Sequence, residues 1–285
     1  MATTYTLDAP GATLHYDVHE SDSTGHPALL LIGSPMGAAG FGSLRRHFTD
    51  RTVVTYDPRG SERSVRTDDT LPTAQAHADD VRRVIDAVGG PVDLFASSGG
   101  AVNALELVSQ HPETVKILVA HEPPIFDVLP DREQAEAASR AIASTYQRDG
   151  FGAAMARFIA LVGLEGPIPD GFAERPAPDP AAFGLPTEDD GSRDDPLFAN
   201  MAAATHHGLD YEALRRASTR IVVGVGAESR NQLPGRSAVA IAEVLGREAV
   251  EFPGGHDGFL GGEYGQTGKP DEFAAALREV LTEGA

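Results

Sequence analysis

Short apolar runs recur along the chain and alternate with stretches of helical periodicity. Most of these runs are continuous rather than interrupted by polar residues, a pattern typical of strands buried on both faces of a parallel sheet. The runs are Leu14 to Val18, Ala28 to Ile32, Val53 to Tyr56, Val92 to Ala96, Ile117 to Ala120, Ile221 to Val225 and Ala249 to Phe252. Between them, apolar residues recur at helical spacing, as from Ala74 to Val88. This alternation predicts an α/β fold, with a mostly parallel sheet flanked by helices.

The alternation stops between about Pro123 and Ser218. This segment has apolar residues at helical spacing with no strand between them, followed by a stretch rich in Pro and Asp. Irregular segments of this length are uncommon in compact domains unless they form a lid or a wrapping loop. We expect residues 124–218 to form a helical cap inserted after the sixth strand, over the carboxyl ends of the strands, where open sheets bind ligands. Residues 1–123 and 219–285 would form the core.

Composition excludes several classes of partner and site. Lysine plus arginine is 23 and aspartate plus glutamate is 42, so the formal net charge is −19, which disfavours nucleic acid and anionic membrane surfaces. The chain has no cysteine, and therefore no disulfide, thiolate metal site or cysteine nucleophile. No apolar run approaches the ~20 residues that span a bilayer, and the start does not resemble a secretion signal. We expect a cytoplasmic protein that needs neither metal nor cofactor, and its oligomeric state is left open.

Two adjacent serines lie between an apolar run and a helical stretch, in the sequence Ala96-Ser97-Ser98-Gly99-Gly100. The spacing fits small-x-Ser-x-Gly, in which a nucleophilic serine occupies a sharp turn from strand to helix and its neighbours two residues away must be small. In this register Ser98 is the nucleophile, and Ala96 takes the place of the usual first glycine. The alternative is a helix cap, where Ser and Gly are also favoured.

A serine nucleophile needs a base, which is most often a histidine. Among the ten histidines, His256 is distinct because it follows the last apolar run and is bracketed by glycines in the sequence "EFPGGHDGFL". A loop there can present an imidazole at the edge of a sheet. We expect most of the other histidines, His77 among them, to be surface residues.

An acyl transition state also needs backbone N–H groups directed at its oxyanion. Gly99, directly after the candidate nucleophile, would supply one. Ser34 in "LLLIGSPMG" would supply the other, since Pro35 has no N–H to donate. A plain glycine turn after a strand is the alternative for this loop.

These landmarks together resemble the α/β-hydrolase superfamily. Gly33-Ser34-Pro35 resembles its His-Gly-x-Pro loop, Thr55 to Ser64 resembles its Asp-x-Arg-Gly segment, and the elbow and His256 follow in the superfamily's order. The resemblance implies an α/β-hydrolase fold and a cofactor-independent serine hydrolase that cleaves an ester or lactone through an acyl-enzyme. One departure is Ile32, which stands where the superfamily usually has a histidine that braces the oxyanion loop.

The acid that would orient His256 has two candidates, each at the end of a strand. Glu228 follows the seventh strand, where most of the superfamily carries its acid, but the usual Gly-x-x-Asp pattern would place the carboxylate at Ser229. Glu122 ends the preceding strand in "HEPP", which resembles the His-Glu-x-Pro of zearalenone lactonases, a family whose elbow also reads Ser-Ser-Gly. This resemblance favours Glu122, and Glu228 is the alternative.

The predicted cap carries apolar residues that could contact a substrate. They are Phe151, Met155, Phe158 and Ile159. They favour a small, largely apolar substrate, although they could equally form the cap's own core. The same fold also hosts carbon–carbon bond hydrolases, perhydrolases and lyases, and a low-turnover ligand receptor is the alternative outside enzymes.

Overall fold

Strands and helices alternate along most of the molecule, which is known from a computed structural model that describes residues 2–23 and 25–282. The strands are β1 (Ala2–Ala9), β2 (Ala12–His19), β3 (Leu29–Ile32), β4 (Val53–Asp57), β5 (Val65–Arg66), β6 (Val92–Ser97), β7 (Val115–His121), β8 (Arg220–Gly226) and β9 (Val250–Phe252). The α-helices are α1 (Gly42–Arg45), α2 (Ala74–Ala87), α3 (Gly99–Gln110), α4 (Arg132–Val162), α5 (Pro196–Thr205), α6 (Tyr211–Arg216), α7 (Leu233–Val244) and α8 (Pro270–Thr282).

The described strands form one nine-stranded sheet in the order β1-β2-β4-β3-β6-β7-β8-β9, with β5 paired to β2. Strand β2 is antiparallel to β1, β4 and β5, and all pairs from β4 to β9 are parallel. Because parallel strands end at the same edge, the loops that follow β3, β6, β7, β8 and β9 meet there. This confirms the predicted α/β-hydrolase fold, with its mostly parallel sheet between helices.

The central strands are buried on both faces, as their continuous apolar sequences predict. Every residue of β3 and β4 is buried. Alternate side chains of β3 enter opposite cores: Leu30 and Ile32 pack in the core that includes α2, α3 and α7, whereas Leu29 and Leu31 pack in the core that includes α1 and α8. Full burial of each such side chain stabilises the fold by about 1.5–3 kcal/mol, so the two helical layers hold the sheet's edge in a fixed position.

Helices α4, α5 and α6 lie between β7 and β8. The insertion follows the sixth strand when the two-residue β5 is left out of the count. Helix α4 is interrupted at Gly150, whose φ is 83°. The following irregular segment packs on α4 so closely that a Cβ at Gly152 would lie 1.8 Å from the Pro186 carbonyl oxygen. Helices α4 and α5 share a third apolar core, in which Ile142, Tyr146 and Met201 are buried, whereas Leu214 of α6 packs in the core that includes α2, α3 and α7.

Two strands were not predicted from the sequence pattern. Strand β1 is mostly exposed and β5 has only two residues, so neither has the apolar run that marks a buried strand. Strand β1 forms a hairpin with β2 through a tight turn at Gly11, whose φ is 75°. As for membranes, the helices that the structure describes are all too short or too polar to cross a bilayer.

Candidate active site

Ser98 lies on a strained turn between β6 and α3. Its φ of 57° and ψ of −128° are unusual for a residue other than glycine and persist only where the surrounding structure enforces them. Two contacts do so here: the Ser98 N–H donates to the His121 carbonyl oxygen at 2.9 Å, and α3 approaches the loop after β3. A Cβ at Gly100 would lie 2.8 Å from the Gly33 backbone, so only glycine fits there. Ser97, by contrast, is a buried residue of β6.

The loop after β3 brings Ser34 and Pro35 to the same cavity as Ser98 and Gly99. The Ser34 carbonyl oxygen lies only 2.8 Å from the position that a Cβ on Gly99 would occupy, so the two candidate oxyanion residues are neighbours. The structure therefore brings Ser34 and Gly99 together at the cavity, and their role at an oxyanion stays a prediction.

Asp57 at the end of β4 braces the segment that follows the Ser34 loop. Its Oδ1 accepts a hydrogen bond from the Ala38 N–H at 2.8 Å, and its Oδ2 accepts one from Arg63 Nε at 2.6 Å. Asp57 is almost fully buried, and Ile32 packs in the core beneath. The carboxylate at the end of β4 therefore has a structural role in the turn.

His256 lies in the glycine-bracketed loop after β9 and contacts Glu122. Its Nδ1 donates to Glu122 Oε2 at 2.6 Å. Burial alone would lower the pKa of His256, but the hydrogen bond to Glu122 and the charge of that carboxylate outweigh burial and raise the pKa. The Glu122 side chain itself is fully buried. Its burial favours the neutral acid, yet the hydrogen bond and charge of His256 lower the pKa of Glu122 to about 2. The Glu122 carboxylate therefore stabilises the protonated form of His256.

Glu122 reaches His256 because its backbone is in the left-handed region, with a φ of 49° directly after β7. The carboxylate accepts two further hydrogen bonds at Oε1, from the Gly226 N–H at 2.9 Å and from Ser229 Oγ at 2.6 Å. Three donors thus surround one buried carboxylate, which satisfies the requirement that a buried charge be paired and hydrogen-bonded.

The alternative acid, Glu228, does not approach His256. Its side chain is 60% exposed and forms an ion pair with Lys269 Nζ at 2.6 Å. The turn after β8 directs Glu228 to solvent, whereas the next residue, Ser229, is buried. The structure therefore brings Glu122, and not Glu228, to the histidine.

The cavity over Ser98 has a volume of about 430 Å³ and mostly apolar walls. Phe158 and Ile159 from the last turns of α4 line it, as do Phe126, Leu197 and Met201. Phe151 and Met155, which the sequence also placed at a substrate pocket, are not among its lining residues. Phe151 instead packs edge to face against Phe198, with ring centroids 6.1 Å apart.

Sequence reasoning missed a polar group in this cavity, the buried Asn200 of α5. Its Nδ2 donates to the Pro196 carbonyl oxygen at 2.8 Å, and its Oδ1 accepts from His77 Nε2 at 2.6 Å. The expectation that His77 is a surface residue is wrong: it is 1% exposed, and burial lowers its pKa to about 4. Residues 77 and 200 are far apart in sequence, so no local pattern could have indicated their contact.

Comparisons with known proteins agree with this architecture. The model of the alpha/beta hydrolase family matches residues 26–276. The chain belongs to the alpha/beta hydrolase family. YraK, an uncharacterised hydrolase of Bacillus subtilis, is 30% identical to this alpha/beta hydrolase over 286 residues, which cover 97% of this chain and 95% of that protein.

Two solved structures share the fold of this alpha/beta hydrolase at low sequence identity. The enol-lactonase from Burkholderia xenovorans has a TM-score of 0.67 and 16% identity, over 98% of this chain and 100% of that chain. The esterase EaEST from Exiguobacterium antarcticum has a TM-score of 0.67 and 18% identity, over 95% of this chain and 96% of that chain. At these identities the likeness shows the fold alone.

Proposed function

We propose that this alpha/beta hydrolase cleaves a carboxylic ester or lactone of a small, largely apolar substrate through an acyl-enzyme on Ser98. The observation that carries the proposal is the 2.6 Å contact between His256 Nδ1 and Glu122 Oε2, in a site where His256 and Ser98 line the same cavity. A nucleophile on a strained elbow, a base beside it and an acid behind the base are the parts that acyl transfer by a serine requires.

The proposed reaction begins with proton transfer from Ser98 Oγ to His256 Nε2 as Oγ attacks the substrate carbonyl carbon. Nδ1 carries the proton bound to Glu122, so Nε2 is the nitrogen free to accept. The N–H groups of Ser34 and Gly99 bind the oxyanion of the tetrahedral intermediate. His256 then protonates the leaving oxygen, which departs as an alcohol from an ester or remains as a hydroxyl on the opened ring of a lactone, and Ser98 is acylated. His256 then deprotonates a water, which attacks the acyl carbon, and it returns that proton to Ser98 Oγ as the acid leaves.

Electrostatics of the pair support this sequence of proton transfers. The buried carboxylate of Glu122 is ionised at neutral pH, because its pKa is lowered to about 2. It stabilises the imidazolium that forms when His256 accepts the serine proton. Since the same contact raises the pKa of His256, turnover requires a pH above that raised value, where Nε2 is unprotonated.

The substrate class is inferred from the cavity and from the helices that line it. Phe126, Phe158 and Met201 make its walls largely apolar, and its volume of about 430 Å³ suits a small molecule. We propose that residues 124–218 act as a cap on a core of residues 1–123 and 219–285, since α4 and α5 supply much of this lining. The enol-lactonase and esterase neighbours are consistent with ester or lactone chemistry on this fold. A cytoplasmic location stays a prediction.

Turnover of a panel of aryl esters and lactones tests the proposal. We expect Ser98→Ala and His256→Ala each to lower kcat for the best substrate by about 10⁶-fold, the loss seen when such catalytic units are broken. Ser97→Ala is the matched control, because Ser97 is buried in β6 beside the nucleophile, and it should retain kcat within about tenfold. Comparable turnover by wild type and Ser98→Ala would contradict the proposal.

A further inference from the structure

Ser229 occupies an unusual place, because it is the buried member of an exposed turn. Ala227, Glu228 and Arg230 around it are exposed, whereas Ser229 is 1% exposed. Its hydroxyl donates to Glu122 Oε1 at 2.6 Å. The next nearest acceptor, the Gly226 carbonyl oxygen, is 3.5 Å away and too distant for a strong bond. The turn thus directs one polar side chain at the carboxylate of the His256–Glu122 pair.

The two oxygens of Glu122 have separate partners. Oε1 accepts from Ser229 Oγ and from the Gly226 N–H, and Oε2 accepts from His256 Nδ1. A carboxylate held at one oxygen cannot rotate freely about its last bond, so the position of Oε2 is set by the donors at Oε1. Hydrogen bonds from donors such as Ser229 Oγ to an ionised carboxylate are stronger than hydrogen bonds between neutral groups.

Two glycines, Gly226 and Gly235, leave the space that Ser229 occupies. A Cβ at Gly226 would lie 2.5 Å from Ser229 Oγ, and a Cβ at Gly235 would lie 2.2 Å from the Ser229 carbonyl oxygen. Ser229 also borders the loop that carries His256, since a Cβ at Gly255 would lie 3.8 Å from Ser229 Cβ. Position 229 therefore lies between the carboxylate of Glu122 and the loop that carries His256.

We propose that Ser229 is a positioning residue that holds the Glu122 carboxylate with Oε2 toward His256, and that position 229 can itself carry the acid. The inference rests on the proposed Ser98–His256–Glu122 mechanism. It also accounts for the sequence of the turn, where Gly226-Ala227-Glu228-Ser229 keeps the spacing of Gly-x-x-Asp but has a hydroxyl in place of the carboxylate. The acid comes from the neighbouring strand instead, and the serine holds it.

The first test is Ser229→Ala, assayed with a p-nitrophenyl ester over a range of pH. Loss of one hydrogen bond to a charged group should lower kcat by about tenfold to a hundredfold, with KM changed less than about threefold. With only the Gly226 N–H left to hold Oε1, the carboxylate is directed less firmly at His256, so the acidic limb of the kcat/KM profile should shift to lower pH. An unshifted limb with unchanged kcat would overturn the proposal.

The second test transfers the carboxylate from position 122 to position 229. In the Glu122→Ala background the space beside His256 is vacated, and Ser229→Asp should raise kcat/KM at least tenfold above Glu122→Ala alone. Ser229→Asn in the same background is the matched control, because it has the same size without the charge, and it should give no recovery. Equal activity of the Asp and Asn double variants, with both shown to be folded by thermal melting, would overturn the claim for position 229.

The outcomes separate this inference from the proposed function. If wild type hydrolyses the ester and Glu122→Ala does not, the mechanism stands, and the Ser229 variants alone decide the inference. If Glu122→Ala is as active as wild type, the acid assignment fails, and this inference fails with it.

Discussion

Glu122 and Glu228 look alike at the level of the single residue, since each follows a buried strand. What separates them is backbone conformation. A φ of 49° turns Glu122 back across the sheet edge to His256, whereas the turn after β8 leaves Glu228 exposed beside Lys269. Neither feature is encoded in a short pattern, and the sequence pointed to Glu122 only through its place at the end of a strand before two prolines and its resemblance to a lactonase segment.

Single substitutions distinguish the two glutamates. Glu122→Gln removes the charge that stabilises the His256 imidazolium and should lower kcat/KM by about 10³–10⁴-fold, the scale of a triad acid. Glu228→Gln breaks an exposed ion pair, which contributes little, and should change kcat/KM by less than about threefold. Steady-state kinetics with one aryl ester measures both, and a larger loss in Glu228→Gln would reverse the assignment.

Other residues of the site differ in how far the sequence could reveal them. Ser98 and Gly99 were predictable because a sharp turn demands small residues at fixed spacing. Ser34 was predictable because it precedes Pro35 in the loop after a buried strand, and the structure brings all three residues to one cavity. Their catalytic roles stay predictions. Asn200 and Ser229 were not predictable, because each gains its partner across more than one hundred residues of chain.

At the scale of secondary structure elements, burial determines what the sequence reveals. The parallel strands from β3 to β8 have apolar runs because both of their faces are covered, and all of them were predicted. The hairpin strand β1 and the short β5 have no such run and were missed.

Helix α4 shows the limit of periodicity within an element. The pattern correctly predicted helix at Phe151, Met155, Phe158 and Ile159, but it could not tell which part of an apolar face meets a cavity and which meets another helix. Of these four residues only Phe158 and Ile159 line the cavity, whereas Phe151 packs against Phe198. Where one element meets another depends on tertiary packing, which a single-element pattern does not contain.

For the whole molecule, two buried histidines link stability to pH. His77 and His121 are both nearly inaccessible, and burial lowers the pKa of each to about 4. His121 packs among Phe95, Phe252 and Phe273, and neither of its ring nitrogens has a hydrogen-bond partner among the described residues. In the unfolded chain these residues bind protons near pH 6.5. The unfolded state therefore binds more protons between pH 6.5 and 4, and stability falls as the pH falls through that window.

His121→Phe should flatten this dependence. The free energy of unfolding of wild type should fall more steeply between pH 6.5 and 4 than that of the variant, by about 1.4 kcal/mol per pH unit at most. Denaturant titrations at several pH values measure the two slopes, with His111→Phe as the control, because the His111 side chain is 43% exposed. Parallel slopes for wild type and His121→Phe would contradict the burial of a neutral histidine.

Covalent labelling of the folded protein tests the central claim that Ser98 is an activated nucleophile. A fluorophosphonate reacts with a serine whose hydroxyl is deprotonated by a neighbouring base, and peptide mass spectrometry locates the adduct. The account predicts stoichiometric labelling of Ser98, no labelling of Ser97, and a rate that falls by orders of magnitude in His256→Ala. A folded wild-type protein without an adduct at Ser98, or with the adduct at Ser97, would contradict it.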